Sequence, residues 1–411
     1  MNTNKPFTQK FQSFGQDFNQ IQSSAEKGIP THPPGSAEID GRVKEIEALH
    51  SELQVSVTNQ KSPTAICVCG MGGIGKTELC IHYIKNYREF YRDYICWIDM
   101  LASNPAEQII EFAVINGYEE KLSVSPENNL RKLWRWSGWQ NKRILFVYDD
   151  LWKVSEIENL LPPLEYTQFY ILLTSRTKAL PEQAKNRSIR NIKNHIISTI
   201  SSEAGHTLFK RYAPEDKVSQ EEEAIEDILA FVGYLPIGIL SVATHTQRFS
   251  GGLHEVVDEL FHTRKEWEQN PKGVMSLEYF QLSDDMAKTT KHSSVYISFL
   301  MTWKRLSIAT RKACILICVS PREIILESIF NSLNETFEIT RDSELKKAKI
   351  SEAAADIAKL FILSRISEKT VKSVAKYSCH MLYRDFFRSQ MSEEEISLWA
   401  STYQQIKASE R

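Results

Sequence analysis

A chain of 411 residues, 42% hydrophobic and 25% charged, has an ordinary globular composition and the length of about two to four domains; its net charge of −2 supplies no whole-chain field toward nucleic acid or anionic membrane. No apolar run reaches the roughly 18 residues that span a bilayer, and the N-terminus lacks the apolar block of a secretory signal, so a cytoplasmic protein without a membrane span is expected. Seven cysteines, odd in number and without framework spacing, indicate a reducing compartment, and the alternation of Cys67 and Cys69 reads as strand packing rather than metal ligation.

Residues 1–35 read as an arm and linker. Phe7, Phe11, Phe14, Phe18 and Ile21 share one face of a helix within a Gln-, Asn- and Ser-rich stretch, which favours docking on the protein's own body, with a self-association or membrane-surface helix as the alternative and sparse basic residues counting against the membrane. Pro30, Pro33, Pro34 and Gly35 then stiffen the chain. After Ile39, Asp40, Gly41 and Arg42, a helical pattern places Val43, Ile46 and Leu49 on one face.

The strongest signal follows. A β-branched strand, Thr64 to Cys69, runs into Gly70-Met71-Gly72-Gly73-Ile74-Gly75-Lys76-Thr77, which satisfies G-x-x-x-x-G-K-S/T, and a helix continues from Glu78 to Tyr87. Phosphate oxygens need several backbone N–H groups converging on one concavity, and Gly70, Gly72, Gly73 and Gly75 allow that turn. The helix dipole, the Lys76 ammonium and the Thr77 hydroxyl, suited to Mg2+, complete the expected site.

Alternation of strands and helices continues with a strand at Tyr94–Asp99, helices at Ala106–Ile115 and Leu130–Trp136, and a buried strand from Arg143 to two carboxylates, Asp149 and Asp150. In a parallel sheet the strand ends carry the site, so Asp149 is the expected Mg2+ ligand beside Thr77, and Asp150 is placed to orient or deprotonate water. The strand Phe169–Thr174 leads to Arg176, which is positioned to read or stabilise a γ-phosphate. His195–Thr199 is expected to complete a five-stranded parallel sheet.

In order, GMGGIGKTEL, LFVYDDLW, ILLTSR and Gly233-Tyr-Leu-Pro236-Ile-Gly-Ile resemble the successive motifs of NB-ARC ATPases, the STAND class of signalling NTPases, and Gly41-Arg42 is similar to the family's short upstream motif. The resemblance implies an α/β P-loop NTPase domain (36–198), a small helical domain (199–262) and a winged-helix domain (294–391) closing over ATP or ADP. A polar linker or insertion (263–293) and a C-terminal helix or tail (392–411) complete the division. The family also implies nucleotide contacts from Arg42, the loop residues Gly70, Gly72 to Glu78, Pro236 and His380. His380 lies in YSCHMLYRDFF, which resembles the segment whose histidine meets the β-phosphate of ADP; the family's flanking methionine and aspartate are Cys379 and Met381 here, which weakens the expected latch. Catalysis is expected from Lys76, Asp150 and Arg176.

Two further matches fail. Phe249-Ser-Gly-Gly-Leu253 resembles a transporter-ATPase signature but follows Asp149 instead of preceding it, and Ile144 occupies the place of the acid that a guanine-reading motif at Asn141-Lys142 would require. No period of 20 to 50 residues marks a repeat array, so a member without a repeat-built sensor or a conventional effector domain is expected. The favoured reading is a slow ATP/ADP-dependent switch whose product is a conformational state or an assembly with itself or with related family members. The first alternative is a winged-helix DNA-binding ATPase or regulator, for which 16 Lys plus Arg against 10 Asp plus Glu over residues 296–391, including Lys346, Lys347 and Lys349, give modest footing. The second is a non-hydrolysing nucleotide-dependent scaffold, against which the intact Asp149 and Asp150 count.

Overall fold

The structure, a computed structural model, describes residues 31, 39, 41–58, 64–101, 104–119, 121–123, 125–163, 169–185, 191–219, 221–247, 249–269, 286–320, 323–324, 357, 363–365 and 377–409. The Phe-striped arm, the proline linker other than Thr31, Asn270–Gly273 and the Lys346–Lys349 cluster lie outside the described residues.

Five segments form one parallel sheet: β1 (Thr64–Cys69), β2 (Ile95–Asp99), β3 (Ile144–Leu151), β4 (Phe169–Ser175) and β5 (Asn191–Ile196), in the order β2-β3-β4-β1-β5. The inner strands are buried on both faces, as parallel strands flanked by crossover helices must be. Alternation sorts their side chains into two layers. Ile66, Val68, Leu145, Val147 and Leu172 pack with residues of α1 (Val43–Thr58) and α2 (Lys76–Tyr87), including Leu49, Leu53, Leu79 and Ile84. On the other face, Cys67, Phe146 and Ile171 pack with Ile109 and Phe112 of α3 (Pro105–Ile115) and Leu133 and Trp134 of α4 (Pro126–Trp134). Trp139 closes this second layer: its indole N–H donates to the Leu133 carbonyl at 2.7 Å and its ring stacks on Phe112.

Four expectations need correction. The fifth strand is Asn191–Ile196 and not His195–Thr199. As an edge strand it buries only one face, and its alternating polar residues hide it, while Ile197, whose N–H donates to the Cys69 carbonyl at 3.0 Å, already belongs to the loop beyond. The helix after the phosphate loop starts at Lys76, two residues before Glu78. The Trp-bearing helix starts at Pro126, capped by the Ser125 hydroxyl, and ends at Trp134, short of Trp136. Thr31 also lies against the open edge of β2, donating its N–H to the Ile95 carbonyl while its Oγ1 accepts from Trp97 N–H, both at 3.0 Å. Part of the proline-rich stretch therefore protects a sheet edge.

After α5 (Leu180–Lys185) and β5 the chain becomes helical: α6 (Ser202–Tyr212), α7 (Glu215–Val218), α8 (Glu222–Phe231), α9 (Pro236–Thr246) and α10 (Leu253–Gln269). Ala204 and Phe209 are buried and pack with Ile225, Leu229, Val242 and Leu260, with Leu208 partly buried against them. Two helices cross the boundaries expected at 262/263 and 293/294: α10 runs to Gln269, and α11 spans Met286–Arg305. The polar sequence from 263 to 293 made this stretch read as a linker. Charge ties the two helices together, since Arg305 meets Glu259 at 2.8 Å.

The remainder comprises α12 (Ile308–Val319), an antiparallel three-stranded sheet in the order β6-β8-β7 from β6 (Glu323–Ile324), β7 (Leu363–Arg365) and β8 (Tyr377–Cys379), then α13 (Met381–Ser389) and α14 (Glu393–Ser409). Tyr383, Phe386 and Phe387 of α13 pack on Phe299 and Trp303 of α11, with Phe299 and Tyr383 stacked at 4.2 Å. Among the described residues no helix is long and apolar enough to cross a membrane.

Glu259 gives this helical assembly an acid dependence. Burial opposes its ionised form, but the charge of His245 at 3.7 Å and the hydrogen bonds and charge of Arg305 outweigh that and bring its carboxyl from an ordinary 4.5 down to about 2. A depressed folded-state value contributes stability above the unfolded value, and that stability is lost as pH falls through the window from 4.5 to about 2. Glu259→Gln is expected to flatten this acid limb in chemical denaturation measured across that window; an unchanged limb would contradict the assignment.

Candidate functional site

The loop between β1 and α2 is held from several directions. Gly70 N–H donates to the Ser175 carbonyl of β4 at 3.3 Å. Gly73 (φ +74) and Gly75 (φ +98) occupy the left-handed region that favours glycine. A Cβ on Gly75 would meet nothing within 4 Å, so that residue faces open space. A Cβ on Gly73 would stand 2.2 Å from Ile237, while one on Gly72 would stand 3.3 Å from Leu382. The loop is thus touched by α9 and by α13, elements more than 150 residues away in sequence.

At the open side, the backbone N–H groups of the first turn of α2 have no intrahelical partners, the usual condition of a helix start. Lys76 is only 8% exposed and donates through Nζ to the Gly70 and Met71 carbonyls, both at 2.9 Å. Burial first, and the Arg176 charge second, lower its pKa to about 8, against the opposing pull of Asp150 and Asp149. Two buried cations near one another, beside backbone donors and an open face, form a set that a polyanion satisfies.

The acidic side is built by a bulge. Strand β3 shifts register between Tyr148 and Leu151, with Asp150 at φ +67, a strained conformation for a residue with a side chain. The two carboxylates therefore part company. Thr77 Oγ1 donates to Asp149 Oδ1 at 3.0 Å, and Thr174 Oγ1 donates to the same oxygen at 2.6 Å. Asp150 turns instead toward Arg176, whose Nε lies 3.7 Å from Oδ1. The Arg176 side chain is only 9% exposed, and its guanidinium also lies 5.5 Å from the centre of the Trp152 ring.

Thr174 is the functional residue that sequence reasoning passed over. Besides donating to Asp149, its Oγ1 accepts from Asp150 N–H at 2.8 Å, so one hydroxyl positions both acids. The signal was a buried threonine closing the otherwise apolar run Phe169-Tyr-Ile-Leu-Leu. Thr77 and Asp149, an alcohol and a carboxylate side by side, suit Mg2+. Among the described residues no group of three or more His, Cys, Asp or Glu side chains could hold a metal, so a cation here must take its other ligands from phosphate and water.

Other expected residues fall around the loop with differing aim. Arg42 is 2% exposed and donates through Nη2 to the Ile74 carbonyl at 3.1 Å and the Ser198 carbonyl at 2.7 Å, with Nη1 on Glu45 at 2.9 Å. It braces the loop backbone. Ile74 is buried against the core. Glu78 turns its carboxylate toward His82 at 3.3 Å, leaving its first-turn backbone N–H as what it offers a phosphate. Pro236 is the first residue of α9, and the next N–H, of Ile237, donates to the Gly73 carbonyl at 3.3 Å. His380 is exposed at the start of α13, where Nδ1 accepts from Leu382 N–H at 3.2 Å. The loop, the two acids, Arg176, Pro236 and His380 thus come from elements that meet at Gly70–Thr77.

Comparison with known proteins agrees with this arrangement. Residues 44–219 match the NB-ARC domain family. The regulatory protein AfsR of Streptomyces griseus is 26% identical over 219 residues, covering 52% of this chain and 21% of that protein. The probable disease resistance protein RF9 of Arabidopsis thaliana is 25% identical over 233 residues, covering 53% of this chain and 22% of its own. The chain thus spans about a fifth of the length of these curated relatives. Among solved structures, a STAND protein (signal transduction ATPase with numerous domains) with a tetratricopeptide-repeat sensor from Pyrococcus horikoshii superposes with a TM-score of 0.53 at 13% identity. That alignment covers 90% of this chain and 46% of that one, and it supports the fold.

Replacing Thr174 with Val removes the shared hydroxyl at nearly constant shape. It leaves the Asp150 N–H without its acceptor and Asp149 short of one donor, which is expected to lower stability by about 1–3 kcal/mol, whereas Thr174→Ser keeps the bonds. Denaturation midpoints for the two variants check this; equal midpoints would remove Thr174 from the site.

Proposed function

We propose, from the match of residues 44–219 to the NB-ARC domain family, that this chain is a STAND-class P-loop protein that works as an ATP/ADP-dependent switch. In this reading Gly70, Gly72, Gly73, Ile74, Gly75 and the first-turn N–H groups through Glu78 hold the phosphates, and Lys76 neutralises them. Thr77 and Asp149 hold Mg2+, which supplies Lewis-acid polarisation of the phosphates. Asp150 positions and deprotonates water, and Arg176 stabilises charge at the terminal phosphate. Pro236 borders the base and ribose, and His380 donates to the β-phosphate when ADP is bound. Arg42 contributes by fixing the Ile74 carbonyl, and so the curvature of the loop.

The observation that carries this reading is the covering of one loop by two later elements. Leu382 of α13 closes on Gly72 and Gly73, and Ile237 of α9 on Gly73, so the conformation of the loop that would hold the phosphates and the packing of the C-terminal elements bear on one another. A ligand shifts a conformational equilibrium only through differential affinity, and this shared packing supplies a source of it. The strained Asp150 and the packed surroundings support slow hydrolysis, fitting a protein whose output is a long-lived state. The three-stranded antiparallel sheet between α12 and α13 supports the winged-helix reading of this region. The names of the relatives, regulatory and disease-resistance proteins, support an output in signalling or defence, through assembly with itself or with related proteins.

Isothermal titration with ADP and with ATP, each with Mg2+, tests the proposal. The wild-type chain is expected to bind both, and Lys76→Ala to lose at least about tenfold in affinity, or about 1.4 kcal/mol. Wild-type protein that binds neither would overturn it. In single-turnover assays Asp150→Asn is expected to slow hydrolysis by about 100-fold or more, as loss of a general base does, while nucleotide affinity persists.

A further inference from the structure

Two thiols stand directly behind the phosphate loop, and none of the roles above uses them. Cys67 and Cys69 alternate along β1, so their side chains leave the same face of the sheet. Their Sγ atoms lie 3.3 Å apart. The Cys69 thiol also donates to Asn194 Oδ1 at 3.0 Å, and its sulfur stands 3.5 Å from the Thr177 carbonyl. The Asn194 amide is fixed in turn, because its Nδ2 donates to the Lys178 carbonyl at 2.9 Å. One S–H cannot serve both Asn194 and Cys67, so with the Cys69 proton on Asn194 the bond between the thiols is donated by Cys67. That bond holds the Cys69 thiol below its ordinary value, with burial opposing and the Lys76 and Lys178 charges assisting. The same bond, and then burial, pushes the Cys67 thiol up.

The pair is buried but thinly covered. Strand β1 lies next to the edge strand β5, and the Asn194 side chain that caps Cys69 belongs to that edge and is partly exposed. A small neutral oxidant reaches Cys69 through a local opening of this edge. Two strand steps put the two α-carbons about 6.6 Å apart, near the long end of the range of about 4.4–6.8 Å that a disulfide spans. We propose that Cys67 and Cys69 are a peroxide-sensitive dithiol whose oxidation to a disulfide loosens the phosphate loop. The Cys69 thiolate attacks one oxygen of hydrogen peroxide: an S–O bond forms, the O–O bond breaks, and the departing hydroxide takes up the proton that Cys69 released. The Cys67 sulfur then attacks the Cys69 sulfur: the S–S bond forms, the S–O bond breaks, and the hydroxyl leaves as water with the Cys67 proton. Two thiols and one peroxide thus give one disulfide and two waters. Cys69 is followed at once by Gly70, whose N–H donates to the Ser175 carbonyl at 3.3 Å and whose carbonyl accepts from Lys76 at 2.9 Å. A bridge that draws Cys69 toward Cys67 pulls on both bonds. Weaker nucleotide binding after oxidation rests on the nucleotide-binding reading above; the disulfide and the loosened loop do not.

The test treats the full chain with hydrogen peroxide, alkylates the remaining thiols under denaturing conditions and maps the tryptic peptide that carries both cysteines. That peptide is expected to lose two hydrogens and to resist alkylation, and dithiothreitol to reverse both. Without nucleotide, amide exchange over Gly70–Thr77 is expected to be about tenfold faster in the oxidised chain, and ADP affinity to be about tenfold weaker. Cys67→Ala is expected to stop at a Cys69 sulfenic acid, which dimedone traps, and in its reduced form to bind ADP within about twofold of wild type. Full alkylation of both cysteines after peroxide would overturn the proposal, as would a bridged peptide with unchanged loop exchange. The wild-type peptide map needs no variant, so a Cys67→Ala chain that fails to fold does not shield the proposal. Reduced wild-type protein that binds no ADP is a different failure, that of the nucleotide-binding reading, and the peptide map and loop exchange still decide this one.

Discussion

Gly72 and Gly73 sit under Leu382 and Ile237, so the phosphate loop is also the place where three parts of the chain touch. A Cβ on Gly73 would come within 2.2 Å of Ile237, and backbone this close to a side chain leaves no slack for the two to move independently. Burying a leucine such as Leu382 contributes about 1.5–3 kcal/mol. The packing of α9 and α13 therefore bears directly on the conformation of the loop.

The polar groups around that loop carry the opposite sign of contribution. Lys76 and Arg176 are buried cations that repel one another, Asp150 is held at positive φ, and Asp385 has a buried oxygen without a donor. Each costs free energy in the docked protein, and the surrounding apolar layers hold them there. Strain and unpaired charge gathered at one junction give bound anions something to relieve. Tight binding alone would move nothing; only a difference in affinity between docked and undocked arrangements shifts their populations. Inverting a 1:99 ratio takes about 10⁴-fold of such difference, so several of these contacts must change together.

Legibility in the sequence followed the range of the interactions. The loop, β1, β3 and β4 could be read because their chemistry is local: glycines at fixed spacing, and apolar runs that end in Asp149, Asp150 and Thr174. Parallel order and the strand count also followed from alternation. Strand β5 was misplaced because an edge strand with Lys193, Asn194 and His195 lacks the apolar signature of its neighbours. The end of α10 and the start of α11 were missed because the sequence there is polar and lacks a clear apolar period. Thr174 could not be assigned from sequence, since it is defined by a partner on another element, the bulge in β3. Arg42 was found, but its aim at the Ile74 and Ser198 carbonyls needed coordinates.

The coupling between loop and helix α13 is most directly tested by amide hydrogen exchange in the presence of Mg2+ with ADP or with a non-hydrolysable ATP analogue. Both nucleotides are expected to protect Gly70–Thr77, but only ADP to protect Leu382–Phe387, which the triphosphate analogue should leave exchanging faster. Equal protection of α13 by the two nucleotides, alongside protection of the loop by both, would contradict the account, because the loop would then bind phosphates without reporting their number to the rest of the chain.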